Sequence, residues 1–494
     1  MHIVDLVYYW ARTIPLRPAV IEPNGVVTYA ALVHAVEAAA EHFARTIVDR
    51  SNPVAVWLPT GSKKLVALLG LLRAGFSVVL ASKPVLKELP SVGASTLICE
   101  RDGPKPDSGG SMLFDDTWIR FGSKAAESAK PIPATKTRGG DIICFTSGTT
   151  GRPRTVVCPQ RSWQQRVLMP LNSVHANCDR MLVVPGLSTS WGLSRAYEAL
   201  HNGRTVCLAP TEQAMLWMIN AYGIDTILAS PQQALTLAEM QEKVTRYPLA
   251  GLRTVQIGAS AISRDGMARV QKHLSQNVII IYGSTEAGVA AVAPYDMIAD
   301  VPGSVGFVIP GVDVEIVDTA DRALPAGSEG FVRVSSPVLK ENTIAGEVGP
   351  AWFYPGDLGR LSDNGMLCIA GRVTDVVNRG GEKFSITDFE NFLLSCPGVK
   401  DAGLCTLMGP SGFEEAWLGV VFDPSADMAV FRHAVTSNER FAKNIDKLFV
   451  VESIPRGTLG KIQRDVLKKM LQELSAEADG MAIDRGADSM SAPQ

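Results

Sequence analysis

The sequence predicts an α/β protein: a large N-terminal domain of doubly wound β/α subdomains, a small β-barrel-like piece, then a small mobile α+β domain. Three observations carry that prediction. The first is a β–α–β unit near the start. Residues 54–58 (VAVWL) read as a buried strand, and residues 62–74 place Leu65, Leu68, Leu69 and Leu72 at helical spacing. Gly75 sits where a helix C-terminal glycine belongs, and residues 77–81 (SVVLA) form the next strand, so the two strands are parallel. The second is recurrence. Short β-rich runs at 141–145, 181–184, 205–209, 225–229, 253–257 and 278–282 are separated by helical stretches, which implies doubly wound material up to about 300, in more than one sheet. The third is a change of texture. Residues 301–371 carry short strands and Gly/Pro/Asp turns, as an antiparallel piece would.

Residues 1–371 therefore form one expected domain and 372–475 a second. In the second, residues 387–394 read as a helix capped by Thr387 with Glu390 three residues on. Residues 476–494 are small, polar and aperiodic, and are expected to be a flexible tail.

Composition narrows the function. The chain has 494 residues, 46% hydrophobic, with a net charge of −3. A basic stripe of the kind nucleic acid requires is not indicated, whereas local loops can still bind phosphate. The eight cysteines include no CxxC pair and read as buried thiols in a reducing compartment. The start, MHIVDLVYYWARTIP, has no leader pattern, and no apolar run is long enough to span a membrane, so a cytoplasmic location is expected.

The segment FTSGTTGRPRTVV (145–157) follows a predicted buried strand. Gly148 and Gly151 permit tight turns; Thr146, Ser147, Thr149 and Thr150 offer hydroxyls beside consecutive N–H groups; Arg154 adds a positive charge. This combination suits a polyphosphate, although GxxxxGK[ST] is absent. Composition alone leaves a solvent-exposed turn equally open.

Four further segments decide between them: YGSTE (282–286), WFYPGDLGRL (352–361), GRVTDVVNRGGEKFS (371–385) and PRGTLGKIQR (455–464). Together with the first, and in this order, they make the chain resemble the adenylate-forming superfamily of acyl- and aryl-CoA synthetases, peptide-synthetase adenylation domains and luciferase-like enzymes. The resemblance runs over nearly the whole chain, with Arg154 where the family's phosphate loop carries lysine.

The resemblance implies ATP-dependent activation of a carboxylic acid to an acyl-adenylate, with ATP, Mg²⁺ and coenzyme A as partners in the chemistry. Nucleophile and electrophile are both anionic, so catalysis must rest on positioning and charge neutralisation. By the resemblance, Glu286 is the Mg²⁺ ligand and Thr285 an α-phosphate donor. Tyr282 stacks on adenine, with Gly283 and Ser284 beside it. Gly258, Ala259 and Ser260 form the wall next to the nucleotide. Asp357 accepts from the ribose hydroxyls, and Arg372 is a second ribose or phosphate contact. Lys461, in a glycine-flanked loop, supplies the mobile charge between substrate carboxylate and α-phosphate.

The family rotates its small domain between half-reactions about a residue just after the GR pair. Here that residue is Thr374, where Asp or Lys is usual. Gly380 and Gly381 match the segment lining the thiol channel. The acid pocket is expected near 187–195, 228–235, 258–262 and 282–285, including Ser188 and Trp191. Ser188 replaces the aspartate with which amino-acid-activating relatives bind an ammonium group, so an α-amino acid is disfavoured and a small or medium acid favoured. Two alternatives stand beside the acid–thiol ligase: an enzyme loading the phosphopantetheine of a carrier protein, and a nucleotide-binding module without catalysis. The module has no need of Glu286 and Lys461. Lys461→Ala should cut acyl-adenylate formation by two or more orders of magnitude, roughly the effect of removing one transition-state donor, while ATP still binds. Pyrophosphate release near the normal rate would contradict this role.

Overall fold

The structure, a computed structural model, describes residues 3–47, 49–103, 110–114, 139–147, 153–168, 178–244, 249–379, 382–409, 414–424, 426–457 and 460–477. The chain divides into two compact units. The larger comprises the described residues of Met1–Ala261, Gly266–Pro355 and Gly359–Ile369; the smaller takes Ile262–Asp265, Gly356–Leu358 and the chain from Ala370 onward.

Among the described residues, two sheets build the larger unit, and the first has 13 strands. Its central block runs Val278–Ser284, Thr254–Gly258, Thr226–Ala229, Arg180–Val183, Thr205–Cys207, Pro18–Glu22, each parallel to the next. These strands are near-continuous apolar runs because helices cover both faces. Arg180–Val183 has its successor Thr205–Cys207 on one side and Thr226–Ala229 on the other, so the winding reverses there. The antiparallel strands expected over 301–371 are present and continue this sheet: Ser304–Val308, Asp313–Val317, Glu329–Ser335, Asp357–Leu361 and Met366–Arg372.

Among the described residues, the second sheet has eight strands. Val54–Trp57 pairs in parallel with Val78–Leu80 on one side and Thr96–Cys99 on the other, a second reversal of winding. Ile142–Ser147 lies parallel to Val78–Leu80 and pairs antiparallel with Pro153–Cys158. Ligands of open α/β sheets sit outside the carboxyl ends of strands at such reversals. One continuous apolar core, containing Val54, Val78 and Ile142 from one sheet and Val183, Val206 and Leu228 from the other, joins the two.

The helix Ser62–Ala74 ends as its sequence predicts. Gly75 adopts φ 91°, and its N–H reaches the carbonyls of Leu71 and Leu72. The helix is buried almost all round, Lys64 included. Its N-terminus takes a cap from a distant strand: the Glu22 carboxylate accepts from Ser62 N–H at 2.8 Å and Ser62 Oγ at 2.5 Å.

In the smaller unit, Val399–Met408, Glu414–Phe422 and Lys447–Val450 form a three-stranded sheet with apolar residues on both faces. Leu404 and Leu418 face helices Ile386–Ser395, Met428–Ser437 and Glu439–Asn444, and Cys405 and Trp417 face helix Arg464–Glu477. The helix expected over 387–394 is Ile386–Ser395, but Thr387 lies inside it and is not its cap. Glu390 is engaged instead by the Leu404 N–H at 3.0 Å and by Arg464. A local capping signal was overridden by a partly buried tertiary ion pair.

All eight cysteines are free and buried. Burial pushes the Cys178 thiol up to about 12 and Cys405 up to about 11, so both are protonated and unreactive at neutral pH. Among the described residues, no helix is long and apolar enough to cross a membrane.

The helices Tyr29–Thr46 and Ser62–Ala74 cross at Gly70, where an added Cβ would lie 2.9 Å from Ala39 Cβ and 3.3 Å from Phe43 Cε2. Alanine favours helix by about 1 kcal/mol over glycine, whereas overpacking a filled crossing costs about 1–3 kcal/mol. Gly70→Ala is therefore expected to destabilise the protein. A lowered urea midpoint would show it; an unchanged or raised midpoint would mean that the crossing re-packs freely.

Candidate active site

The strand Val278–Ser284 delivers the YGSTE residues to the carboxyl edge of the parallel block. Its pairing with Gly288–Pro294 shifts register between Tyr282 and Gly283, a bulge that tightens the hairpin. An added Cβ on Gly283 would meet the Gly288 carbonyl oxygen at 2.3 Å, so only glycine allows this approach. Ser284 Oγ accepts from the Ala287 N–H at 3.0 Å, and Gly288 closes the turn at φ 76°.

Each carbonyl of this turn has its own side-chain donor. Arg166 Nη2 donates to the Thr285 carbonyl, Asn342 Nδ2 to the Glu286 carbonyl at 2.7 Å, and Ser336 Oγ to the Ala287 carbonyl at 2.7 Å. The turn thereby fixes the Glu286 side chain, which is 5% exposed. Its Oε1 accepts from Thr146 Oγ1 at 2.8 Å, and no basic side chain pairs with it among the described residues. A buried carboxylate held only by a neutral hydroxyl favours a cation, and this donor set fits Mg²⁺, which prefers carboxylate with phosphate and water oxygens.

Thr146 and Ser147 end the strand Ile142–Ser147, in register with Arg154 and Pro153. The connection between the two strands therefore leaves the same edge on which Glu286 stands. Gly148, Thr149, Thr150 and Gly151 lie outside the described residues, as do Gly380 and Gly381.

The wall Gly258–Ala259–Ser260 follows the strand Thr254–Gly258. A Cβ on Gly258 would be 2.8 Å from the Ile281 carbonyl oxygen and 3.1 Å from Trp191 Cζ2, so the indole packs closely against a residue that only glycine fits. Ala259 holds φ 76°, a left-handed conformation that an alanine resists. Such strain persists where the surroundings impose it, commonly at functional sites. Tyr282 is half-buried against the core. Trp191 and Ser188 belong to the start of helix Ser190–His201, capped by Thr189, whose Oγ1 accepts from the Gly192 N–H at 3.0 Å.

Lys64 was not singled out by its sequence. Its side chain is buried, and Nζ donates to Ser188 Oγ at 2.5 Å and to the Leu58 carbonyl at 3.0 Å. Burial lowers its pKa to about 8. The residue sits four before Leu68, on the apolar stripe itself, and a charge in that position was the available signal. Ser188 therefore faces a cation where amino-acid-activating relatives place an anion. Arg166 and Asn342, the other residues missed, support the turn through backbone atoms and carry no motif.

The remaining groups lie in the smaller unit. Asp357, 7% exposed, accepts from Arg372 Nε at 3.1 Å, so the two residues expected at the ribose are paired with each other. Lys461 is exposed, on a loop whose form is set by Arg456. That guanidinium grips both Asp401 oxygens at 2.6 and 3.0 Å and the Gly460 carbonyl at 2.6 Å, and Gly460 takes φ 75°. The Gly457 N–H closes the loop on the Lys461 carbonyl at 2.8 Å. Thr374 lies in the short 3₁₀ turn Val373–Asp375. Asp375 and Glu390 both pair with Arg464, at 3.5 and 2.5 Å, which ties that turn to the end of the lysine loop.

The chain is similar in sequence and in fold to known proteins. The family model for AMP-binding enzymes matches residues 7–341. A medium-chain fatty-acid–CoA ligase of Escherichia coli K12 is 25% identical, with 96% of this chain and 93% of that enzyme covered. A 4-chlorobenzoate–CoA ligase of an Arthrobacter species is 24% identical, with 96% of each chain covered. Among solved structures, the o-succinylbenzoate CoA synthetase of Bacillus subtilis in complex with its acyl-adenylate superposes with a TM-score of 0.79 at 22% identity, over 94% of this chain and 98% of that one. A motif-bearing hairpin, a buried carboxylate bonded to Thr146 and a family match over residues 7–341 lead to one assignment: the chain belongs to the AMP-binding enzyme family.

Proposed function

We infer that this enzyme activates a carboxylic acid with ATP to an acyl-adenylate, releases pyrophosphate, and transfers the acyl group to the thiol of coenzyme A. The observation that carries the first step is the Thr146–Glu286 contact. It brings the start of the Ser/Thr/Gly loop to a buried carboxylate that has no basic partner among the described residues.

In this reading Glu286 and Thr146 hold the cation, and bound Mg²⁺ neutralises phosphate charge. Thr285 orients the α-phosphate, Tyr282 and Gly258–Ser260 enclose the base, and Asp357 takes the ribose hydroxyls. Lys461 supplies a positive charge where the substrate carboxylate meets the α-phosphorus. The carboxylate oxygen bonds to that phosphorus as the bond to pyrophosphate breaks. Transfer to coenzyme A is supported by the relatives, which are named CoA ligases and match along nearly their whole length. A phosphopantetheine on a carrier protein would use the same thiol chemistry. A cytoplasmic location belongs to the same proposal and is supported by the free, buried cysteines.

The test is acid-dependent exchange of pyrophosphate into ATP over a panel of acids, followed by offering coenzyme A and a carrier protein side by side. Exchange with no acid would leave only a nucleotide-binding module. Glu286→Gln keeps the shape and removes the charge; exchange should fall by about two to three orders of magnitude, and near-normal exchange would exclude Glu286 as the cation ligand. Thr374→Pro should stiffen the proposed pivot. Thioester formation should fall while adenylation persists; equal loss of both would place the pivot elsewhere.

A further inference from the structure

Each sheet of the larger unit reverses its winding at one strand, and the loops leaving those two strands meet. One loop follows Val54–Trp57 and leads into helix Ser62–Ala74; the other follows Arg180–Val183 and leads into helix Ser190–His201. Thr60 Oγ1 accepts from the Leu187 N–H at 3.4 Å, and Lys64 Nζ donates to Ser188 Oγ at 2.5 Å. Reversal points are where open α/β sheets leave a crevice for a ligand.

Lys64 is hard to explain by packing. Its side chain is 1% exposed, and past the capped Ser62 every other buried residue of its helix is apolar. Both its partners, the Leu58 carbonyl and the Ser188 hydroxyl, are neutral. Glu22, at the same helix end, is bound to Ser62, and burial pushes the Lys64 pKa down. Methionine would fill the same space without the penalty of an unpaired buried charge. Ser188 is only half-buried, and because it accepts from Lys64, its own hydroxyl proton is directed elsewhere. From Ser188 the chain runs directly to Trp191, which lies on the Gly258 wall.

We propose that Lys64 and Ser188 form an anion-binding end of the acid pocket, and that the substrate is a dicarboxylic acid, activated at one carboxyl while the other rests on this pair. The proposal builds on the adenylation reading above. One charge-assisted bond from the ammonium and one from the serine hydroxyl suit a carboxylate's two oxygens.

The test uses the full-length enzyme and pyrophosphate exchange with chain-matched acids: butanedioate through octanedioate against butanoate through octanoate, and benzene-1,4-dicarboxylate against benzoate. For at least one pair, the diacid should exceed the monoacid in kcat/KM by about tenfold or more. In Lys64→Met that ratio should fall at least about tenfold, with thermal unfolding measured alongside to establish that the variant is folded. In the unmodified enzyme the same ratio should decline as pH rises through about 8, where Lys64 loses its proton. A preference for the monoacid at every length would overturn the proposal, as would a ratio that neither Lys64→Met nor pH moves by twofold. Should Lys64→Met not fold, the pH series on the unmodified enzyme decides. Exchange with no acid of either kind would overturn the adenylation reading, and this proposal with it.

Discussion

The larger unit is organised around the need to bond three buried carbonyls in the turn that follows Val278–Ser284. A buried carbonyl left unpaired costs free energy comparable to a lost hydrogen bond. Arg166, Asn342 and Ser336 answer that need from separate places in the sequence: the helix Gln160–Leu168, the residue ending helix Pro337–Glu341, and the cap that starts it. Two of the donors flank one short helix and the third lies in another, so the turn is held by the packing of both helices against it. Glu286 adds a bond to Thr146 in the other sheet, so the turn also joins the two sheets at their carboxyl edges. Positioning of the reactive groups is thus a by-product of satisfying the backbone.

The buried charges fall into two kinds. Arg195 pairs with Glu198, both nearly inaccessible, and Arg464 pairs with Glu390 and Asp375. Such pairs neutralise themselves and hold elements in place. Glu286 and Lys64 are buried too, as is Arg166, and each is bonded only to neutral groups. Arg166 spends its charge on the backbone of the Thr285 turn, whereas Glu286 and Lys64 are the positions at which the proposals above seat a cation and an anion.

Much of this was legible in the sequence, for definite reasons. The helix Ser62–Ala74 follows from its apolar spacing and its terminal glycine, and the parallel strands from their unbroken apolar runs. The motif residues could be named because five segments together resemble a known family; the close backbone approaches then account for the glycines at 258 and 283. The supports were not legible. Arg166, Asn342 and Glu22 act on backbone atoms distant in sequence, so nothing local distinguishes them from surface polar residues. Thr387 failed as a cap for the same reason in reverse: a local pattern was present, and the tertiary bond between Glu390 and Arg464 took precedence. Lys64 fell between the two cases, since a lysine at a helix start ordinarily reads as solvated.

The burial of every cysteine has a practical consequence. A protein with no accessible native thiol is almost silent to maleimide and iodoacetamide reagents while folded. A single cysteine introduced at an exposed position, such as Val450 in the smaller unit, would then carry a dye or spin label without competition. A second, in the larger unit, would turn the pair into a molecular ruler. Nature has in effect supplied a cysteine-free surface on which the distance between two chosen points can be followed, substrate by substrate.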